Sequence, residues 1–174
     1  MSRKRSSQAG FTLIELLIVI AIIGLIAAML IPNMLDAFQK AKQKRTLADM
    51  RILGTAMLSW LTDEVGAAAA GQSSTVVTMS DYGSSLSDTV LATVLVPEYL
   101  QDVPKLDGWK RPYEFYLRFA TPSAQQVMAI RSPGRDGVDD SATYTVTSFD
   151  PTDYDRDIVW ADGFFVRWPQ KLTP

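Results

Sequence analysis

The chain reads as an α+β protein. A long N-terminal helix, membrane-spanning in its first half and amphipathic in its second, packs against a small antiparallel β-sheet head. Three observations predict this. Phe11 to Ile31 is a run of 21 residues with one charge, Glu15. Further on, Leu47, Met50, Leu53, Met57, Trp60 and Leu61 recur at spacings of three and four, the period of one helix face. Beyond residue 63, short β-branched or alternating runs are separated by Gly, Ser, Pro and Asp, the punctuation of strands and turns.

Composition narrows the chemistry. At 174 residues and 19.2 kDa the chain suffices for one ordinary domain, or a smaller one with an appendage. It has no cysteine and no histidine, which removes disulfides, Cys/His zinc sites, His-ligated haem and every triad that needs an imidazole base. Any metal must sit among oxygens. The net charge of −2 hides an asymmetry: the first 31 residues carry Arg3, Lys4 and Arg5 against Glu15, so the remaining 143 sum to −4. No basic field for nucleic acid exists, and direct nucleic-acid binding is not expected.

The apolar run would make a helix of about 31 Å, matching a hydrocarbon core of roughly 30 Å. A secretory signal peptide has a shorter apolar region, roughly 7–15 residues, before a small-residue cleavage site. No Ala-x-Ala follows this run. Arg3, Lys4 and Arg5 favour a cytoplasmic N-terminus and an external C-terminus; Lys40, Lys42, Lys44 and Arg45 pull the other way from farther off. Glu15 is the anomaly, because a charge in such a segment costs about 2.5–3.5 kcal/mol. It is either functional or, one turn from Phe11, snorkels to the headgroups. Pro32 removes the donor for the carbonyl of Ala28, so the helix either continues with a kink or splits into two helices hinged there. A single helix to about Leu61 would run roughly 77 Å.

Gly66 to Ser74 reads as a loop, Thr75 to Met79 as a short β-branched run, and Tyr82 to Ser85 as a turn. Ser87 and Asp88 cap a short helix through Val96, closed by Pro97. Strands are expected at Tyr113 to Phe119, Gln126 to Ile130, Thr143 to Thr147 and Phe164 to Trp168.

Residues 131–162 hold the only site-like chemistry. Eight aspartates (136, 139, 140, 150, 153, 155, 157 and 162) face Arg131, Arg135 and Arg156, a net charge of −5. Carboxylates with Gly134 and Gly137 for tight turning suit a hard cation with oxygen ligands, calcium before magnesium. The segment has no glutamate and is no EF-hand; the alternative is a solvated acidic surface. Gly134-Arg135-Asp136-Gly137 lacks the lysine and hydroxyl of a phosphate loop, and nothing fixes a carboxylate pair at glycosidase spacing. The chain is not expected to be an enzyme.

Lys4-Arg5 followed by Gly10-Phe11-Thr12-Leu13-Ile14-Glu15-Leu16-Leu17-Ile18-Val19-Ile20-Ala21-Ile22-Ile23-Gly24 resembles the N-terminal signature of bacterial type IV prepilins and of the related pseudopilins. The resemblance implies a leader, residues 1–10, cut after Gly10 by a prepilin peptidase that then methylates Phe11. It implies a transmembrane and filament-core helix over 11–31, an amphipathic half over 32–62 and a globular α+β head over 63–174. It pairs Glu15 with a neighbouring subunit's N-terminal ammonium. Val103-Pro104-Lys105-Leu106-Asp107-Gly108-Trp109-Lys110-Arg111-Pro112-Tyr113 resembles a structural stretch of major type II secretion pseudopilins, although Asp107 and Gly108 precede Trp109 and a lysine follows it. Ser132 to Val138 and Asp153 to Trp160 resemble their calcium loop, implying carboxylates from Asp136 and Asp153, carbonyls from Pro133 and Val138, and a further ligand in Asp155; Asp139 to Thr152 is longer than that pattern.

The function so implied is that of a structural subunit of a type II secretion pseudopilus, a homo-oligomeric filament that includes other pseudopilins. Its partners would be an inner-membrane assembly platform, an ATPase and the lipid bilayer. The chain would sit in the bacterial inner membrane as a single-pass protein with its head in the periplasm. The alternative is a type IV pilin of a cell-surface fibre for adhesion, motility or DNA uptake; a third reading is a periplasmic binding or catalytic domain that uses the span only as an anchor.

Overall fold

The structure is a computed structural model and describes residues 10–65 and 76–171. Met1 to Ala9 of the expected leader and the loop expected over Gly66 to Ser74 lie outside the described residues. The chain divides into two compact units between Phe38 and Gln39.

Helix α1, Leu13–Val65, is 53 residues long and continues through Pro32, which sets aside two separate helices and carries the element past Leu61. In the first unit its side chains face outward almost without exception, Ile, Leu, Val and Met alike. Among the described residues this is the one helix long and apolar enough to cross a membrane.

In the second unit α1 buries one face, and that face starts at Gln43 rather than at Pro32. Gln43, Thr46, Met50, Leu53, Gly54, Ala56, Met57, Trp60 and Leu61 are buried, while most of the residues just before them are exposed. The buried spacings are those of an i, i+3, i+4 stripe. Helix α2, Asp88–Leu95, starts where Ser87 Oγ accepts the amide of Val90 and adds Leu91 and Leu95 to the same core.

Among the described residues seven strands complete the head: β1 Val76–Thr78, β2 Glu114–Leu117, β3 Met128–Ser132, β4 Thr143–Thr145, β5 Thr147–Phe149, β6 Ile158–Ala161 and β7 Phe164–Pro169. Five form one sheet in the order β2-β3-β6-β7-β5; β1 and β4 pair separately, and Met79–Tyr82 after β1 is a turn of 3-10 helix. Side chains alternate across the larger sheet. Phe115, Leu117, Met128, Ile130, Ile158 and Trp160 meet the helices, whereas Tyr116, Ala129, Val159, Ala161 and Val166 meet Val77, Met79, Tyr82 and Tyr144 from the β1-β4 side.

Four expectations are corrected. The sheet is mixed, because β5 runs parallel to β7. Thr143 to Thr147 is two strands in two sheets, with Val146 as the junction, and the strand expected over Gln126 to Ile130 is β3, two residues later. The acidic stretch 131–162 is not one loop, since it holds the end of β3 and all of β4, β5 and β6. β6 has apolar cover on both faces, so Ile158-Val159-Trp160-Ala161 shows no polar alternation, only four buried residues between two aspartates.

Candidate functional site

Gly10, Phe11 and Thr12 precede the helix, all exposed and without regular structure. Thr12 then closes the helix start. Its backbone N and Oγ1 donate to Glu15 Oε2 at 2.8 and 2.7 Å, and the amide of Glu15 donates back to Thr12 Oγ1 at 3.3 Å. This is a reciprocal capping box, which satisfies amides that the first turn of any helix leaves without intrahelical partners. Within one chain the Glu15 carboxylate is therefore held by Thr12. The sequence carried the signal, Thr-x-x-Glu before an apolar run, and the expectation for Glu15 overlooked it.

The turn around Trp109 is a docking device. Asp107 is buried; its Oδ1 accepts the amides of Trp109 and Arg111 at 2.8 and 2.9 Å, and its Oδ2 accepts Ser132 Oγ at 2.7 Å. The amide of Gly108 donates to Thr46 Oγ1 at 2.9 Å, and Trp109 Nε1 donates to Gln39 Oε1 at 2.7 Å, so the turn is fastened to α1. A Cβ on Gly108 would lie 2.2 Å from the carbonyl oxygen of Lys42. Only glycine allows so close an approach. The structural role expected for this segment agrees with its packing.

The acidic region brings its two halves together, as the calcium reading requires, but not as a cage. The amide of Arg135 donates to the carbonyl of Tyr154 at 2.9 Å. Gly134, at φ +68°, comes close enough to the carbonyls of Asp155 and Arg156 that a Cβ would lie 2.8 Å from each oxygen. The carboxylates are engaged by arginines. Arg135 Nε and Nη2 fork onto Asp155 Oδ1 and Oδ2 at 2.7 and 2.6 Å, holding that carboxyl below the usual aspartate range. Arg156 Nε donates to Asp153 Oδ2 at 2.9 Å. Asp136 Oδ1 accepts the amide of Val138 at 3.1 Å, and Arg111 Nη2 donates to the carbonyls of Arg135 and Asp136 at 3.4 and 3.1 Å. Val138 is exposed. Among the described residues no three acidic side chains converge as a metal site. Asp136, Asp153, Asp155, Pro133 and Val138 do not fit a resident calcium ion, because Asp153 and Asp155 would first have to release their arginines.

Beside this lies a network around the buried Arg131, Tyr144 and Asp157, whose pairing the sequence did not single out. The Arg131 guanidinium donates to Glu114 Oε2 at 2.5 Å, to Asp139 Oδ2 at 2.7 Å and to Tyr144 Oη at 3.2 Å. Tyr144 Oη donates to Asp157 Oδ2, which also accepts the amide of Asp140 at 2.9 Å; Asp157 Oδ1 is buried without a partner among the described residues. Burial pushes the Asp157 carboxyl up to about 6, against the hydrogen bond from Tyr144 that lowers it. Glu114 lies 17 residues from Arg131, so no local spacing announces the pair.

Comparison with known proteins bears on the first of these regions. The family description "Prokaryotic N-terminal methylation motif" matches residues 5–31, a span that contains Gly10, Phe11, Thr12 and Glu15. The type II secretion system core protein G of Pseudomonas aeruginosa is 25% identical over 138 residues, 79% of this chain and 93% of that protein. That of Klebsiella michiganensis is 26% identical over 156 residues, 83% of this chain and 98% of its own. The chain is a homologue of the core protein G pseudopilins and of the type IV pilins. On the pilin side, the type IV major pilin protein PilA of Myxococcus xanthus is 41% identical over 64 residues, 37% of this chain and 29% of that pilin. No solved structure matches the chain. In this pilin-like chain the matched motif covers the exposed Gly10-Phe11 bond ahead of the helix, the capping box and the outward-facing apolar helix through Ile31.

Proposed function

We propose that the chain is a structural subunit of a type II secretion pseudopilus. It is made with a short leader, cut between Gly10 and Phe11 and methylated on Phe11, then stored in the inner membrane with its head in the periplasm. Subunits leave the bilayer by exchanging lipid for one another's apolar helices. The role is mechanical and not catalytic. Assembly requires a prepilin peptidase, an inner-membrane platform and a cytoplasmic ATPase. The observation that carries the reading is the length of the match to core protein G, four-fifths of this chain and nearly all of the relatives, against 64 residues for the more identical pilin. That pilin's 41% identity is what favours the second reading, a surface fibre.

Intact-mass measurement of the membrane-extracted protein should give a chain beginning at Phe11 and carrying one extra methyl group. A chain that retains Met1 to Gly10 in assembled fibres would remove the basis of both readings. Deleting the gene separates them: periplasmic accumulation of normally exported proteins is expected, whereas loss of surface fibres with export intact would favour the pilin.

A further inference from the structure

We propose that in this head guanidinium groups do the work of the cation that the family resemblance implies: arginines of the chain itself clamp the segment after β3 to the segment before β6. The chain has no cysteine, so no disulfide can fasten these segments. Two clamps cross between them. Arg135 forks onto Asp155 and lies over the ring of Tyr154, 6.0 Å from its centroid. Arg156 reaches Asp153 at 2.9 Å and, back across the gap, Asp140 at 3.5 Å. Arg111 takes the carbonyls of Arg135 and Asp136 from outside, and Arg131 anchors Glu114 and Asp139 beneath. These are carboxylate and carbonyl oxygens, the donors calcium would need, already engaged by planar cations whose fork matches a carboxylate. A tethered cation cannot be removed by a chelator. It can be screened, because Arg135 and Arg156 are about half exposed.

The inference does not rest on the filament reading. It is tested on the full-length chain in detergent, melted in calcium chloride or in a calcium chelator. The wild-type midpoint is expected to be the same in both and to fall with added sodium chloride. Arg135→Met combined with Arg156→Met should lower the midpoint in chelator by roughly 3 °C or more. Millimolar calcium should then recover part of that loss, because the freed carboxylates become available to it. A wild-type chain that melts higher in calcium than in chelator would overturn the proposal; so would a double variant with the wild-type midpoint, or a loss that calcium cannot recover. If the double variant does not fold in either condition, Arg135→Lys decides. It keeps the charge and loses the fork, and its midpoint should lie below wild type; an unchanged midpoint sinks the clamp.

Discussion

Asp157 couples the head to pH. Its side chain is fully buried, with one oxygen shared by Tyr144 and the amide of Asp140 and the other without a partner among the described residues. Burial raises its carboxyl from 3.8 to about 6, so the folded chain holds the proton more tightly than the unfolded chain does. The linked stability is fully present below the unfolded value and is lost as pH rises through the folded one. Asp162, raised by burial as well, acts in the same direction, whereas Asp155, held low by Arg135, loses stability only below the ordinary aspartate range. The full chain should therefore melt higher near pH 5 than near pH 8, with Asp157 supplying on the order of 1 kcal/mol of the difference. Asp157→Asn keeps an acceptor for Tyr144 and should flatten most of that slope; a slope unchanged in the variant would assign it elsewhere. Residues of this kind were not legible in the sequence. Asp157 was one aspartate among eight, and what separates it from Asp136 is burial by residues far along the chain. Thr12 was legible, since its signature is local.

Gly54 sits inside α1, where glycine costs about 1 kcal/mol relative to alanine. Propensity alone predicts that Gly54→Ala stabilises the helix. Packing predicts the reverse, because the new Cβ would meet the ring of Trp160 at 2.5 Å, and that ring is itself buried in the core. Overpacking of this kind costs typically about 1–3 kcal/mol. A net loss of stability is expected, read from the thermal midpoint by circular dichroism; a gain would mean that Trp160 swings aside without cost. The same competition explains which elements the sequence revealed. The second half of α1 has one face on the core and the other in solvent, so its three-and-four spacing was readable, and α2 was announced by Ser87 before an apolar run. β6 lies mid-sheet under two layers, and a four-residue apolar run carries no period. The break at Val146 follows from β4 and β5 joining different sheets, a tertiary fact with no local signature.

At the scale of the whole molecule, the proposed function gives Glu15 two settings to satisfy, the membrane and the filament. Its carboxylate accepts two hydrogen bonds from Thr12, which lessens the cost of carrying an acid in an apolar segment before any neighbour is present. Those bonds use one carboxylate oxygen and do not require a charge. The apolar helix, the N-terminal motif and the buried face of the second half of α1 were legible because each rests on contiguous sequence, whereas the partner of Glu15 in this structure is Thr12 and the partner expected of it in the proposed filament is in another subunit. Two substitutions divide the cases. Glu15→Ala should insert as well as wild type or better, since it removes a group costing about 2.5–3.5 kcal/mol at the centre of a bilayer, yet it should fail to enter stable filaments. Glu15→Gln keeps an acceptor for Thr12 and loses the charge. If the filament needs that charge to neutralise the methylated ammonium of a neighbouring Phe11, Gln should fail as Ala does, because an unpaired buried cation is strongly destabilising. Both variants should still be cleaved at Gly10, which intact mass verifies before sheared fibres are quantified. Wild-type fibre yield from Glu15→Gln with none from Glu15→Ala would make Glu15 a helix cap alone, and normal yield from both would leave it no role in assembly.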